Sequence, residues 1–218
     1  MKLFYAIFFL LMLSAPTSAS ELYRITLLRA APGNLAPLIE KVKVYKKQQK
    51  GNLSIMRHSQ GDQWDLMLLE PAGKNPAVMQ NFSDLADFQH SFLAKSETSW
   101  PQLKTRSDAS GLFHIEMFHA VHGQSKALLK QRQMENQYLT STERQANSIF
   151  ETTFGSDVDS FTIGYYKDLS AFAQMPDLPK ATFEKAATDA GFKNRDDIGL
   201  YLRTLILSHN DTLATAVK

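Results

Sequence analysis

Between residues 22 and 30 apolar and polar side chains alternate, with Tyr23, Ile25 and Leu27 on one face and Arg24 and Thr26 on the other. Period two over such a run, closed by Pro32-Gly33, predicts a strand. The alternation returns in the second half, where Phe113, Ile115, Met117 and His119 share one face and His114 and Glu116 the other, ahead of His122-Gly123. Leu38, Ile39 and Val42 then recur at helical spacing and predict a helix over 35–49; Leu128 and Leu129 do so over 125–140. Paired strands follow, 54–59 with 64–69 and 148–154 with 160–165, each joined through Gly and Asp, which is hairpin chemistry. Further helices are expected at 83–96 and from 169 to 174, with two more in 179–190 and 196–208, and short closing strands at 99–103 and 213–217.

The two halves also match piece by piece. Leu22–Asn34 aligns with Leu112–Gln124, Ser54–Leu69 with Ser148–Ile163, Ser83–Phe88 with Lys167–Phe172, and Phe92–Thr98 with Ile206–Thr212. A repeat is the first thing to seek in a chain, because it fixes the architecture. Each half reads β-α-β-β-α-β, the ferredoxin-like order. The expected fold is α+β: tandem ferredoxin-like repeats whose bare sheet faces close on each other as an α/β barrel within one chain. The first repeat spans 21–108 and the second 109–218, with a helical insertion at 174–205; the first carries a Gly-, Pro- and Asn-rich insert near 70–79.

Residues 1–20 have a different character. Lys2 precedes an unbroken apolar run, Leu3 to Leu13, and a small, polar stretch with Pro16 ends at Ser20. That order is the signature of a secretory signal peptide, and the run is too short to span a bilayer. Export to the periplasm or medium is therefore expected, with no membrane-spanning segment in the remainder. The chain has no cysteine, which excludes thiol catalysis, Cys-ligated zinc and disulfide staples. The 24 Lys and Arg nearly balance 22 Asp and Glu, which argues against a nucleic-acid partner.

Arg29-Ala30-Ala31-Pro32-Gly33, the helix after it and the hairpins around Gly61 and Gly155 resemble the dimeric α/β-barrel superfamily, in particular its NIPSNAP-like and antibiotic-biosynthesis-monooxygenase-like families. The resemblance implies a ferredoxin-like barrel and, for activity, a choice among cofactor-free monooxygenases, haem-degrading or haem-binding proteins and isomerases. Haem is thus the one cofactor it suggests.

Candidate chemistry concentrates in the second repeat. His114, Glu116, His119 and His122 lie within nine residues, but on a strand His114 and Glu116 share a face that His119 does not, so no metal set follows from them. His119 and His209 are the candidates for an acid–base or axial-ligand role. His114, Glu116, Tyr166 and Asp211 are candidate ligand-binding groups. The competing reading of the His/Glu cluster is a hydrogen-bonded interior with exposed turn histidines, and Asp211 with Thr212 also reads as a turn cap. Asp65 and Asp159 recur in both hairpins, which favours a structural hydrogen bond. Arg132, Glu135 and Asn136 read as a solvated helix face, and Trp64 and Trp100 as core or interface.

Three functions remain open on sequence: a protein binding a small, largely apolar molecule in the helix-side cleft of the second repeat, a monooxygenase-like or haem-handling enzyme using the same cleft, and a non-catalytic envelope interaction protein. No P-loop, nucleophile elbow, dinucleotide fingerprint or zincin motif is present.

Overall fold

The computed structural model describes residues 20–73 and 80–217. The leader expected at 1–20 lies, apart from Ser20, outside the described residues, as does most of the Gly/Pro/Asn-rich insert.

Eight antiparallel strands close a barrel in the order β1-β3-β2-β8-β5-β7-β6-β4. The first repeat supplies β1 (Glu21–Ala30), α1 (Leu35–Gln48), β2 (Ser54–Gln60), β3 (Leu66–Pro71) and β4 (Ala86–Ser96). After the connecting helix α2 (Trp100–Ala109), the second supplies β5 (Leu112–Ala120), α3 (Ser125–Ser141), β6 (Ser148–Phe154), β7 (Ser160–Tyr166), α4 (Leu169–Ala173), α5 (Lys180–Asp189), α6 (Asp197–Leu205) and β8 (Ile206–Ala216). Within each half the order is 4-1-3-2. The two sheets join where β2 pairs with β8 and β4 with β6, which leaves no open sheet edge.

Alternation decides which residues fill the barrel. Tyr23, Ile25, Met67, Phe92, Phe113, Ile115, Phe150 and Phe161 point inward and are 0–2 % exposed. Phe150 and Phe161 stack with ring centres 4.4 Å apart, and Phe92 meets Phe161 edge-on at 6.0 Å. Large apolar rings from both halves thus occupy the interior, so each sheet buries its inner face against the other. Trp64 belongs to this core and Trp100 packs against it. The helices lie outside: α1 sets Leu38 and Val42 over Leu28, Leu66 and Leu68, and α3 sets Leu128 over Phe118 and Ala120.

The repeat is visible in the register. Ile25 lies opposite Leu69 and Phe92, and Ile115 opposite Ile163 and Thr212. Both halves carry an irregularity at the same place, between Arg29 and Ala30 and between His119 and Ala120. The recurring aspartates serve it: Asp65 Oδ2 accepts the Ala30 N–H and Asp159 Oδ2 the Ala120 N–H, each at 2.8 Å. A bulge frees a backbone donor, and a carboxylate satisfies it.

Several expectations need correction. Residues 83–96 are not helical: Ser83–Leu85 is a turn and 86–96 is strand β4, because Phe88, Phe92 and Ala94 alternate into the barrel core. Ser99–Leu103 opens helix α2 instead of forming a strand; Pro101 sits in its first turn and Gln102 Oε1 accepts the Ser99 N–H at 3.1 Å. Strand β8 begins at Ile206, well before 213. The counterpart of Phe92 is Thr212, so the last matched piece is six residues out of register, and Ser83–Phe88 has no structural counterpart in Lys167–Phe172.

Candidate functional site

The outer sheet faces, beneath the helices, are where the two repeats part company. Corresponding positions hold Thr26 and Glu116 on the first strand, Leu28 and Phe118 two residues on, Leu68 and Thr162 on the third strand, and Val42 and Arg132, then Tyr45 and Glu135, on the helix. At these positions the first repeat carries no charge and the second carries three; the first repeat's own ion pair, Arg24 with Glu70, lies beside Tyr45.

Arg132 is 3 % exposed, so the helix face expected to be solvated is turned into the protein. Helical spacing explains it: Leu128, Arg132 and Glu135 share the stripe of α3 that meets the sheet. The Arg132 guanidinium donates to Gln131 Oε1 at 2.7 Å and to Glu135 Oε2, lies 3.6 Å from Glu116 Oε2, and stands 4.9 Å above the Phe118 ring. Glu116 Oε2 also accepts from Thr162 Oγ1 at 3.1 Å. Burial pushes the Glu135 carboxyl above the ordinary carboxylate range, against the pull of Arg132, and Glu116 adds to the rise. Asn136, the third member of that polar set, fastens α3 to β6 through paired 2.8 Å hydrogen bonds with the Asn147 backbone.

Below this cluster a cavity of about 440 Å³ opens between the end of β7 and α4. Arg144, Tyr166, Ala171, Phe172 and Pro176 line it. Short helix α4 exists because Asp168 caps it, accepting the Ala171 N–H at 2.9 Å. That cap sets Phe172 against both Tyr166, 5.1 Å between ring centres, and His114, 5.2 Å. Burial raises the Tyr166 phenol; Arg144 opposes the rise while Glu116 and Glu135 add to it. Arg144 Nε is buried with no hydrogen-bond partner, and its guanidinium stands 5.5 Å from the Tyr138 ring. Ala171, Phe172 and Pro176 give the cavity its apolar contacts, and Tyr166, Arg144, Glu143 and Asp177 its polar ones.

The predicted site residues divide. His114, Glu116 and Asp211 do meet on the outer face: His114 Nε2 is 3.7 Å from Asp211 Oδ1, and one ligand atom from each of the three lies within 4.8 Å of the others. His209 joins them, its Nδ1 3.4 Å from Asp211 Oδ1 and its ring stacked on Phe118 at 5.9 Å. Tyr166 reaches the same cleft from its far end. His119 does not. Its parity points it to the barrel end, where Asp157 lies 3.6 Å away and Ser208 3.2 Å, so it cannot serve the cleft. His122 is exposed in the turn. Sequence reasoning missed Arg144 and Phe172, which lie outside every matched piece or on a misaligned one. It named Arg132 and Glu135 but gave them to solvent; the signal was Leu128 one turn before Arg132.

A haem bound in this cleft would need an axial donor. His119 faces elsewhere, His209 presents Nδ1 to Asp211, and no histidine is among the cavity-lining residues. The donor set does not fit a histidine-ligated haem.

No family model matches the sequence, and a search of curated proteins found no match. Solved structures do match in shape. An anthrone oxidase-like protein aligns with a TM-score of 0.58 at 10% identity, over 91% of this chain and 92% of its own. A candidate monooxygenase from Fusobacterium nucleatum aligns at 0.58 and 10% identity, over 92% and 94%. A candidate chlorite dismutase aligns at 0.54 and 13% identity, over 92% and 96%. With the 4-1-3-2 half-sheets, their β2–β8 and β4–β6 joins and the outer helices, these alignments identify the fold as that of the dimeric α/β barrels, closed here within a single chain.

Proposed function

We propose that this is an exported protein whose second repeat binds a small, largely apolar molecule in the cleft between α4 and the outer face of β7. The observation that carries the reading is the asymmetry of the repeats: the positions held by Thr26, Val42 and Tyr45 in the first hold Glu116, Arg132 and Glu135 in the second, beside a cavity of about 440 Å³. Cavities of roughly 300–1,000 Å³ with a few convergent polar groups suit small-molecule ligands. Phe172 and Pro176 supply apolar contact, while Arg144 and Tyr166 recognise one acidic or accepting group on the ligand. A buried guanidinium nitrogen without a partner is costly, and an anionic group would satisfy it.

The likeness to an anthrone oxidase-like protein and a candidate monooxygenase favours a second reading, oxygenase-like chemistry in the same cleft. Here Arg144 and Tyr166 would stabilise a phenolate formed on the substrate. Export rests on the pattern of residues 1–20 and would show as a mature chain beginning near Ser20 in the envelope or medium.

Native mass spectrometry of protein isolated from its own cells tests the binding reading. A co-purifying small molecule, lost in the Arg144→Ala and Tyr166→Ala variants, is expected. A ligand-free protein, or a ligand retained by both variants, overturns it. Oxygen uptake with small phenols, absent in Arg144→Ala, would select the enzymatic reading.

A further inference from the structure

His114, Glu116, Asp211 and His209 lie on adjacent strands β5 and β8, which pair in register. Glu116 lies opposite Asp211 and Phe118 opposite His209, while His114 is two residues before Glu116 on the same face. Four side chains of metal-binding type therefore project from one small patch of pleated sheet, a rigid platform that loops do not match. The corresponding positions of the first repeat are Arg24, Thr26, Ser91 and Gln89, so nothing in the fold demands them.

The spacing of the donors is informative. His114 Nε2 is 3.7 Å from Asp211 Oδ1 and His209 Nδ1 is 3.4 Å from the same oxygen. Neither contact is a hydrogen bond, and His209 Nδ1 is buried without a partner. Bonds of about 2.0–2.1 Å at tetrahedral angles place ligand atoms about 3.3–3.4 Å apart. The His114–Asp211 pair is thus a few tenths of an ångström wider than two ligands of one ion, and with Glu116 within 4.8 Å of both, small side-chain rotations close the set. Charge agrees as well. Arg132 is shared between Glu116 and Glu135, so its single positive charge leaves the Glu116–Asp211 side short of a cation. Both contacts of Glu116, to Thr162 and to Arg132, are made by Oε2, so Oε1 remains to coordinate. Thr162 fixes the carboxylate and Phe172 packs on the His114 ring, the outer support that orients metal ligands. An entry path exists, because a surface hollow of about 330 Å³ lined by Gly61, Asp62, His209 and Asp211 opens onto the patch.

The geometry points to a divalent first-row transition-metal site formed by His114, Glu116 and Asp211, with water completing the shell and His209 positioning Asp211. One imidazole and two carboxylates, with no thiolate, suit Zn²⁺, Mn²⁺ or Fe²⁺. The site stands independently of the ligand-binding reading, since none of its ligands lines the 440 Å³ cavity.

Calorimetric titration of the metal-stripped protein with Zn²⁺ tests it. One ion per chain is expected, with affinity at least tenfold weaker in His114→Ala and in Asp211→Asn and unchanged in His119→Ala. A readout free of mutation accompanies it: the ring-proton NMR signals of His114 shift on Zn²⁺ addition while those of His119 stay. His209→Gln should weaken binding less than His114→Ala and leave the stoichiometry at one, with the His114 ring signal still responding. No binding, binding equally tight in His114→Ala and Asp211→Asn, or a titration in which the His114 ring does not respond would each overturn the assignment. Parent protein that carries no co-purifying organic ligand yet binds Zn²⁺ would sink the cleft reading alone.

Discussion

Arg132→Val separates the charged seam of the second repeat from a mere packing accident. Val is what the first repeat carries at this place, as Val42, so the replacement is sterically tested within the same chain. In the second repeat it removes the guanidinium that, among the described residues, pairs with both Glu116 and Glu135, and it strips the cation from the face of Phe118. Removing one partner of a buried ion pair strands the others and costs about 3–5 kcal/mol. For a chain of this size each kcal/mol lowers Tm by about 2–4 °C, so a fall of about 6–20 °C is expected. The companion variant replaces the whole set, Glu116→Thr, Arg132→Val and Glu135→Leu. Exchanging a buried ion cluster for apolar residues is often neutral or stabilising by about 1–4 kcal/mol, so the triple variant should recover most or all of the loss. Thermal and urea unfolding at pH 7, followed by circular dichroism, measures both. A single variant within about 1 kcal/mol of the parent, or a triple variant no more stable than the single, would refute the reasoning. A stable triple variant that has lost its ligand would show that the seam is kept for binding.

Glu135 gives a pH signature with a definite sign. Its folded-state pKa is raised, so the folded chain holds that proton more tightly than the unfolded chain. Stability on this account is highest below the ordinary value of 4.5 and declines as pH rises from there through the folded pKa. Glu135→Gln should flatten that decline in a Tm-versus-pH series, and an unchanged slope would contradict it. At the two bulges, Asp65→Ala and Asp159→Ala each leave a backbone N–H without its acceptor, and each should cost about 1–3 kcal/mol in urea unfolding. The Asp159 variant should lose more, because Ser125 Oγ also donates to Asp159 Oδ1 at 2.9 Å; the reverse order would count against that assignment.

The sequence by itself determined the elements whose signal is local. Period-two alternation placed β1 and β5, and helical spacing placed α1 and α3 to within about a residue or two at each end. Two aligned hairpins set the register of β2 with β3 and of β6 with β7, because each turn fixes its own strands. The repeat then implied a barrel, since two half-covered sheets have no other cheap way to bury their bare faces. What failed was β4, read as helix from a chance likeness of Ser83–Phe88 to Lys167–Phe172. Its alternating Phe88, Phe92 and Ala94 acquire meaning only once the barrel interior exists to receive them. The site divided in the same way. His114 and Glu116 share a face by strand geometry alone, but their meeting with Asp211 and His209 depends on β8 pairing with β5 across almost a hundred residues. Arg132 shows why the tertiary structure had to decide. A charged residue on a helix is solvated by default, and only the placement of Glu116, Glu135 and Phe118 around it makes burial tolerable.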